Sequence, residues 1–291
     1  MVQLIEKNSN ETAQYVEAFE RLQQKSQPSW LLPLRRAGIS SFAEQGFPTL
    51  QDEDWRFTNV APISKLPFKP ALELTQEDAV QDAVKQAAFG TIAGHRLVFV
   101  NGIFSPKLSA INALPAGVTV RNLAAALAQD GSLLEKHLGK HAQPAGNSFA
   151  AMNQAFFADG VFIHVPAGVE LPDPVQLIFI SSTTQNGTTI LPRNLIVAEA
   201  NSKVTVIESY VHTSSAAYLT NAVTELVAGD NASVEVIKLQ DEAPEAFHIA
   251  AINGHFGRSS RVNVHSIALG AKISRNNIRA KLAGEGLECV L

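Results

Sequence analysis

The sequence predicts a mainly β protein with an N-terminal α-helical region, its body wound as a parallel β-helix. Two observations carry this. One strand pattern recurs four times in the last third of the chain, as Lys203-Val204-Thr205-Val206-Ile207, Ser233-Val234-Glu235-Val236-Ile237, Arg261-Val262-Asn263-Val264 and Gly286-Leu287-Glu288-Cys289-Val290. Measured between first apolar residues, the steps are 30 (Val204 to Val234), 28 (Val234 to Val262) and 25 (Val262 to Leu287), a period typical of solenoids. In addition, no helix-length periodic segment separates the copies, so they cannot be joined as β-α-β crossovers and stack strand on strand instead.

Each copy is entered through a turn-forming cluster: Ala200-Asn201-Ser202, Gly229-Asp230-Asn231, Gly257-Arg258-Ser259-Ser260 and Gly284-Glu285-Gly286. Turn residues at a fixed offset make every unit bend at the same place. A second β-rich segment precedes each cluster: Asn194–Ala198, Ala222–Val227, Ile249–Ile252 and Ile278–Leu282. One unit therefore holds about two strands. Side-chain alternation predicts that Val204, Val206, Val234, Val236, Val262, Val264, Leu287 and Cys289 line the bore, and that Thr205, Glu235, Asn263 and Glu288 face water.

The rest of the chain divides by pattern. Ala13, Val16, Ala18, Phe19 and Leu22 recur at helical spacing from about Asn10 to Gln24, and a second helix is expected from about Trp30 to Glu44, ended by Gly46-Phe47-Pro48. Three prolines should keep residues 62–70 extended. A helix over Gln76–Ala88 completes an N-terminal helical region, 1–93. The strand Arg96–Val100, running into a turn at Asn101-Gly102, opens the β-helix core, 94–291. That core carries helical insertions at about 123–138 and 149–157, with regular coils from about 160 that begin at Val161–Val165 and Val175–Ile180.

Composition narrows the function. The 291 residues are 46% hydrophobic and 17% charged with net charge −4, ordinary for a globular protein. Arg35-Arg36 is the one adjacent basic pair, which argues against nucleic-acid binding. No apolar run approaches the ~20 residues of a membrane helix, and the first residues lack a signal-peptide core; a cytoplasmic protein without membrane contact is expected. The single cysteine, Cys289, fits a reducing compartment.

Catalytic signatures are missing. There is no phosphate-cradling Gly-x-x-x-x-Gly-Lys-[Ser/Thr], no dinucleotide fingerprint, no nucleophile elbow, no His-Glu-x-x-His and no Cys-x-x-Cys. His95, His137, His141, His164 and His212 are scattered without ligand spacing and read as structural or solvated; His248, His255 and His265 fall in one coil region and are the histidines that could meet, but they read as exposed coil residues. Cys289 reads as a core thiol; alone it cannot hold an iron–sulfur cluster, which is usually fixed by four thiolates. Glu208, Glu225, Glu235 and Asp241-Glu242 lie on different turns and read as solvated. The sequence thus nominates no catalytic and no cofactor-binding residue, and leaves a metal site open.

Several segments also carry a resemblance. They are Asp52-Glu53-Asp54-Trp55-Arg56-Phe57-Thr58, Leu97–Pro106, Phe149–Gly160, Val165-Pro166-Ala167-Gly168-Val169, Tyr218–Glu225 and Ser274-Arg275-Asn276-Asn277. In this order, over about Pro28 to Leu291, the chain resembles the SufB/SufD family of iron–sulfur cluster assembly proteins, on its SufD side. The resemblance implies a right-handed β-helix and a non-catalytic scaffold subunit. Such a subunit pairs with a SufB-like subunit through the β-helices and contacts a SufC-like ATPase through a C-terminal helical domain. Family members continue for more than a hundred residues past Leu291, so the last coils and that domain are expected to be missing, and the SufC contact with them. A C-terminally truncated β-helix is expected, either a fragment or a natural short form. The resemblance carries no cluster-forming residue onto this chain; an iron–sulfur cluster is expected only in complex with partners. The alternatives are a β-helix carbohydrate-active enzyme, which needs two converging carboxylates, and a homo-oligomeric β-helix scaffold, such as a homodimer formed by strand addition.

Overall fold

The computed structural model describes residues 2–24, 27–87 and 94–291, with side chains from residue 12 onward. Helices α1 (Val2–Leu22), α2 (Leu31–Gln45), α3 (Ala61–Ser64) and α4 (Gln81–Ala87) precede the first long strand. Helices α5 (Leu123–Gln129), α6 (Gly131–His137) and α7 (Ser148–Phe156) interrupt the early β region. The strands are β1 (Lys69–Pro70), β2 (His95–Val100), β3 (Ile103–Phe104), β4 (Thr119–Asn122), β5 (Val161–Val165), β6 (Val175–Ser181), β7 (Thr188–Ile190), β8 (Arg193–Ala198), β9 (Lys203–His212) and β10 (Leu219–Ala228). They continue with β11 (Ser233–Asp241), β12 (Phe247–Phe256), β13 (Arg261–Ala268), β14 (Ile273–Leu282) and β15 (Glu288–Val290).

From β5 onward successive strands alternate between two parallel sheets. One runs β5, β8, β10, β12, β14, with β7 continuing the β8 rung against β10; the other runs β2, β6, β9, β11, β13, β15. Among the described strands, β3 pairs antiparallel with β2 and β4 antiparallel with β5. The β-helix expected from the repeat is therefore the architecture.

What sets its register is a ladder of corners. Gly168, Asn201, Asn231, Ser259 and Gly286 all adopt positive φ, between 54° and 73°. Asparagine and glycine tolerate this left-handed conformation best. The Asn201 N–H donates to Asp230 O (2.8 Å), Asn231 to Arg258 O (2.8 Å) and Ser259 to Glu285 O (2.9 Å), so each corner hangs on the next. The first inward residue follows three positions later: Val204, Val234, Val262 and Cys289. Here the structure corrects the sequence reading of the fourth copy. Val262 pairs with Cys289, not Leu287, because the corner at Gly286 fixes the register and the apolar Leu287 does not.

The bore is aliphatic, as alternation predicts. Val204, Val206, Val234, Val236, Val262 and Val264 share one buried core with Leu97, Leu177, Ile196, Leu226 and Ile252, and half-buried Cys289 packs against it. Leu287 lies outside that cluster. Of the residues expected to face water, Glu288 is exposed, while Thr205, Glu235 and Asn263 are half-buried. Inside the second sheet, Phe99, Phe179 and Tyr210 stack at 4.8 Å steps, within 15° of coplanar. That step is the strand spacing itself.

Helices cover the outer face of the first sheet. Tyr15, Phe19, Phe42, Phe149 and Phe156 pack with Leu219, Phe247 and Ile249 from that face. In α1 the buried stripe is Thr12, Tyr15 and Phe19; Val16 is exposed. Helix α2 crosses α7 so closely at Gly38 that a Cβ there would sit 2.8 Å from Ala155 N and 2.9 Å from Ala151 O. Two local expectations change. Residues 62–70 are not extended throughout, since Pro62 occupies the first turn of α3, where its missing N–H costs nothing. Residues 123–138 form two helices, broken where Asp130 leaves helical geometry at φ −116°, ψ 27°. The helix expected over 76–88 begins with a 3₁₀ turn at Glu77–Val80 and continues as α4; Ala88 lies outside the described residues.

At the far end β14 and β15 are the outermost strands, with Leu269, Leu282, Val290 and Leu291 exposed. No helix among the described residues is long and apolar enough to cross a membrane.

Ile252 is buried at the centre of the bore. Ile252→Ala should cost about 2–5 kcal/mol of stability, read as a lowered urea midpoint with an unchanged slope.

Candidate functional site: charges sealed in and on the solenoid

Following the inward alternation beyond the valines leads to polar groups. On β9 the series Val204, Val206 continues with Glu208 and Tyr210; on β11, Val234, Val236 continues with Lys238 and Gln240; on β12, Ala250 is preceded by His248. All of these polar groups are at most 2% exposed. One section of the bore is thus a buried polar chamber, closed from the other sheet by Asn194, Thr220 and Thr224.

The chamber is closely partnered. Glu208 accepts from Tyr210 Oη (3.2 Å), Asn194 Nδ2 (3.4 Å) and Thr224 Oγ1 (3.5 Å). Glu242, on the turn after β11, accepts from Thr220 Oγ1 (2.5 Å) and Gln240 Nε2 (3.2 Å), and its carboxylate lies 2.5 Å from His248 Nδ1. The Lys238 ammonium stands 4.9 Å from the centre of the Tyr210 ring, and that ring meets His248 edge to face at 4.8 Å. Burial pushes the Glu208 carboxyl up despite the attraction of Lys238. Burial pulls Lys238 down to about 8, against Glu208 and Glu242. For Glu242 burial works upward, but His248 and three hydrogen bonds outweigh it and hold the carboxyl low. His248 is itself lowered by burial and by Lys238. An ionised Glu242 accepting a hydrogen bond from a neutral His248 satisfies both directions.

A second cluster sits on the helix-covered face. Arg193 and Glu225 are completely buried and paired at 2.6 Å. Glu225 also accepts the backbone N–H groups of Gly139 (2.8 Å), His141 (2.8 Å) and Ala142 (3.1 Å), which pins the turn after α6 onto β10. Burial alone would raise this carboxyl; Arg193 and the backbone donors outweigh burial and hold it below its usual value.

These clusters correct the sequence reading: Glu208, Glu225 and Glu242 are not solvated but fully buried, and only Asp241 of that set is exposed, with Glu235 half-buried. The inward parity of Glu208 and Lys238 with the valines before them was the available signal. Of His248, His255 and His265, read from sequence as exposed coil residues that could meet, only His265 is exposed, and the three do not come together. His248 faces the bore, His255 lies seven residues on along β12 with the opposite parity, and His265 is exposed on β13. Instead His255 joins His137 and His141, whose ring centres lie in a row at 5.9 and 5.7 Å. His95 is buried; His164 pairs with Glu199 at 3.0 Å; His212 Nδ1 lies 2.8 Å from Ser214 O. Burial raises the Cys289 thiol, which disfavours the reactive thiolate. Among the described residues no group of three or more His, Cys, Asp or Glu side chains is arranged to hold a metal ion.

The segments that carried the resemblance act as fasteners. Trp55 packs under the Arg275 guanidinium (4.1 Å), Arg275 donates to Thr58 Oγ1 (3.0 Å), and Asp54 pairs with Arg279 (3.1 Å), so the 52–58 segment clasps β14. Asn153 bridges Pro192 O and Asn221 O, both at 2.9 Å. Asp159 accepts from the N–H groups of Ala124 (3.0 Å) and Gly160 (2.9 Å). A surface groove of about 480 Å³ beside β7 includes Lys69, Gln76, Asn101, Thr183 and Gln185 and a single carboxylate, Glu73. It lacks the carboxylate pair that glycoside hydrolysis needs.

A two-sheet parallel solenoid, faced with helices on one side and burying a few partnered charges, defines the class of protein. The chain belongs to the SufBD family of iron–sulfur cluster assembly proteins. Residues 7–177 match the SufBD protein N-terminal region, and residues 179–291 match the SufBD core domain of the SUF iron–sulfur cluster assembly system. It is 30% identical over 263 residues to an iron–sulfur cluster assembly SufBD family protein of Synechocystis, covering 87% of this chain and 57% of that one. It is 27% identical over 231 residues to the iron–sulfur cluster assembly protein SufD of Bacillus subtilis (76% and 50% covered), and 23% identical over 266 residues to the chloroplastic protein ABCI7 of Arabidopsis thaliana (88% and 54% covered). The chain spans about half the length of these relatives.

Glu225→Gln should cost about 3–5 kcal/mol, because it leaves the Arg193 charge buried without its counter-ion; thermal melts should show this, and the Gly139 and Ala142 amides should exchange faster. Lys238 carries a second signature. Its folded pKa of about 8 lies below the ordinary lysine value of 10.5, so between those values the unfolded chain binds more protons and stability rises with pH. Over that window the stability curve of Lys238→Met should be flatter than that of the wild type in denaturant titrations.

Proposed function

We propose that this chain is a SufD-like, non-catalytic scaffold subunit of iron–sulfur cluster assembly, acting in the cytoplasm. It pairs with a SufB-like subunit along the β-helix and works with a SufC-like ATPase, whose nucleotide hydrolysis drives the process. Clusters are cargo of the assembled complex, not a group held by this chain alone. The observation that carries this reading is that the perturbed ionisable groups are sealed and partnered, Glu208, Lys238 and Glu242 in the bore and Glu225 beneath the helical layer. They build a rigid body and reach no substrate. Family membership supplies the system in which such a body serves.

The exposed edge formed by β14 and β15 supports a second reading, a homodimer through strand addition. Co-expression with a SufB-like and a SufC-like subunit, followed by affinity capture through this chain and light scattering of the product, separates the two. Capture of the SufB-like subunit through this chain is the expected outcome. A stable homodimer that excludes the SufB-like subunit would replace the proposal.

A further inference from the structure

The outer face of the first sheet carries a feature that the scaffold role does not use. His137 ends α6, His141 lies four residues on in the following turn, and His255 projects from β12 beside them. The His141 ring lies 5.9 Å from that of His137, inclined by 23°, and 5.7 Å from that of His255, inclined by 49°. All three side chains are half-buried, and the buried His141 Nε2 has no hydrogen-bond partner.

The supports are rigid. Glu225 holds the His141 backbone N–H at 2.8 Å, and β12 is fixed between β10 and β14, with His255 in register with Val227 and Lys281. An imidazole row on fixed backbone matches the preference of borderline divalent ions for nitrogen ligands. With Zn–N bonds of about 2.0–2.1 Å, two imidazoles in tetrahedral array around one ion have ring centres about 5 Å apart. The observed 5.7 and 5.9 Å exceed that separation by less than 1 Å, so an ion would require the rings to turn toward one another. As placed, the three rings do not yet converge. Lys281, Lys136 and Arg193 stand nearby and oppose a cation; the Glu225 carboxylate, itself paired with Arg193, favours one.

We propose that His141 and His255, with His137 as a third imidazole, form a binding site for a Zn²⁺-class divalent ion, distinct from any cluster carried by an assembled complex.

Zn²⁺ titration of the chelator-treated full chain by calorimetry, with Co²⁺ absorption as a second probe, tests this. One saturable equivalent is expected, together with a metal-dependent rise in Tm that a chelator reverses. His141→Asn, which keeps the backbone N–H bonded to Glu225, and His255→Asn should each weaken binding at least tenfold and abolish the rise in Tm. His212→Asn and His265→Asn should change neither. Should no saturable binding occur, or should His255→Asn bind as the wild type does, the site does not exist; His255→Asn keeps this outcome readable even if His141→Asn fails to fold.

Discussion

The structure depends on the corner. In coil after coil one residue in the left-handed conformation turns the chain between sheets, and its N–H reaches a carbonyl of the next coil. Because side-chain direction reverses at every residue of a strand, a slip of one position at that corner would turn the valines of the bore toward solvent. The corner therefore does two things at once: it joins the coils and it decides which face of each strand is the inside.

Fixing the inside has a consequence for charge. The inward series does not stay apolar to the end of the strands, and the same parity that buries Val204 and Val234 also buries Glu208 and Lys238. A buried ionised group without a partner would cost several kcal/mol. The chamber meets this by drawing its members from both sheets: Glu208 from Tyr210, Asn194 and Thr224, and Glu242 from Thr220, Gln240 and His248. Those partners come from different coils, so stacking the coils and satisfying the charges are one event. Arg193 and Glu225 do the same on the outer face, where the carboxylate gathers backbone donors from the turn after α6 and ties the helical layer to the sheet.

This division accounts for the quiet look of the sequence. The segments shared with the family, around Trp55, Asn153, Asp159 and Arg275, are fasteners between helices and coils.

Much of the fold was legible because it follows from local, repeating rules. The periodic strands, the turn clusters between them, the helix that ends at Gly46 and the inward valines all show in the order of residues, since alternation and turn preference act over a few positions. The fourth coil was misread by two residues because the apolar Leu287 imitates the start of a strand, while the true register hangs on a hydrogen bond from Ser259 to a distant carbonyl. The acids were misread for a related reason: charge ordinarily means solvent, and nothing near Glu208, Glu225 or Glu242 in sequence announces Asn194, Arg193 or His248. The grouping of His137 and His141 with His255 likewise exists only once β12 lies beside the turn after α6. By itself, then, the sequence determined the winding of the chain and the direction of its side chains, because those are set by neighbours along the backbone. Which charges meet, and which histidines share a surface, only the tertiary structure decided, because partners on different strands are brought together by the winding and stacking of the coils.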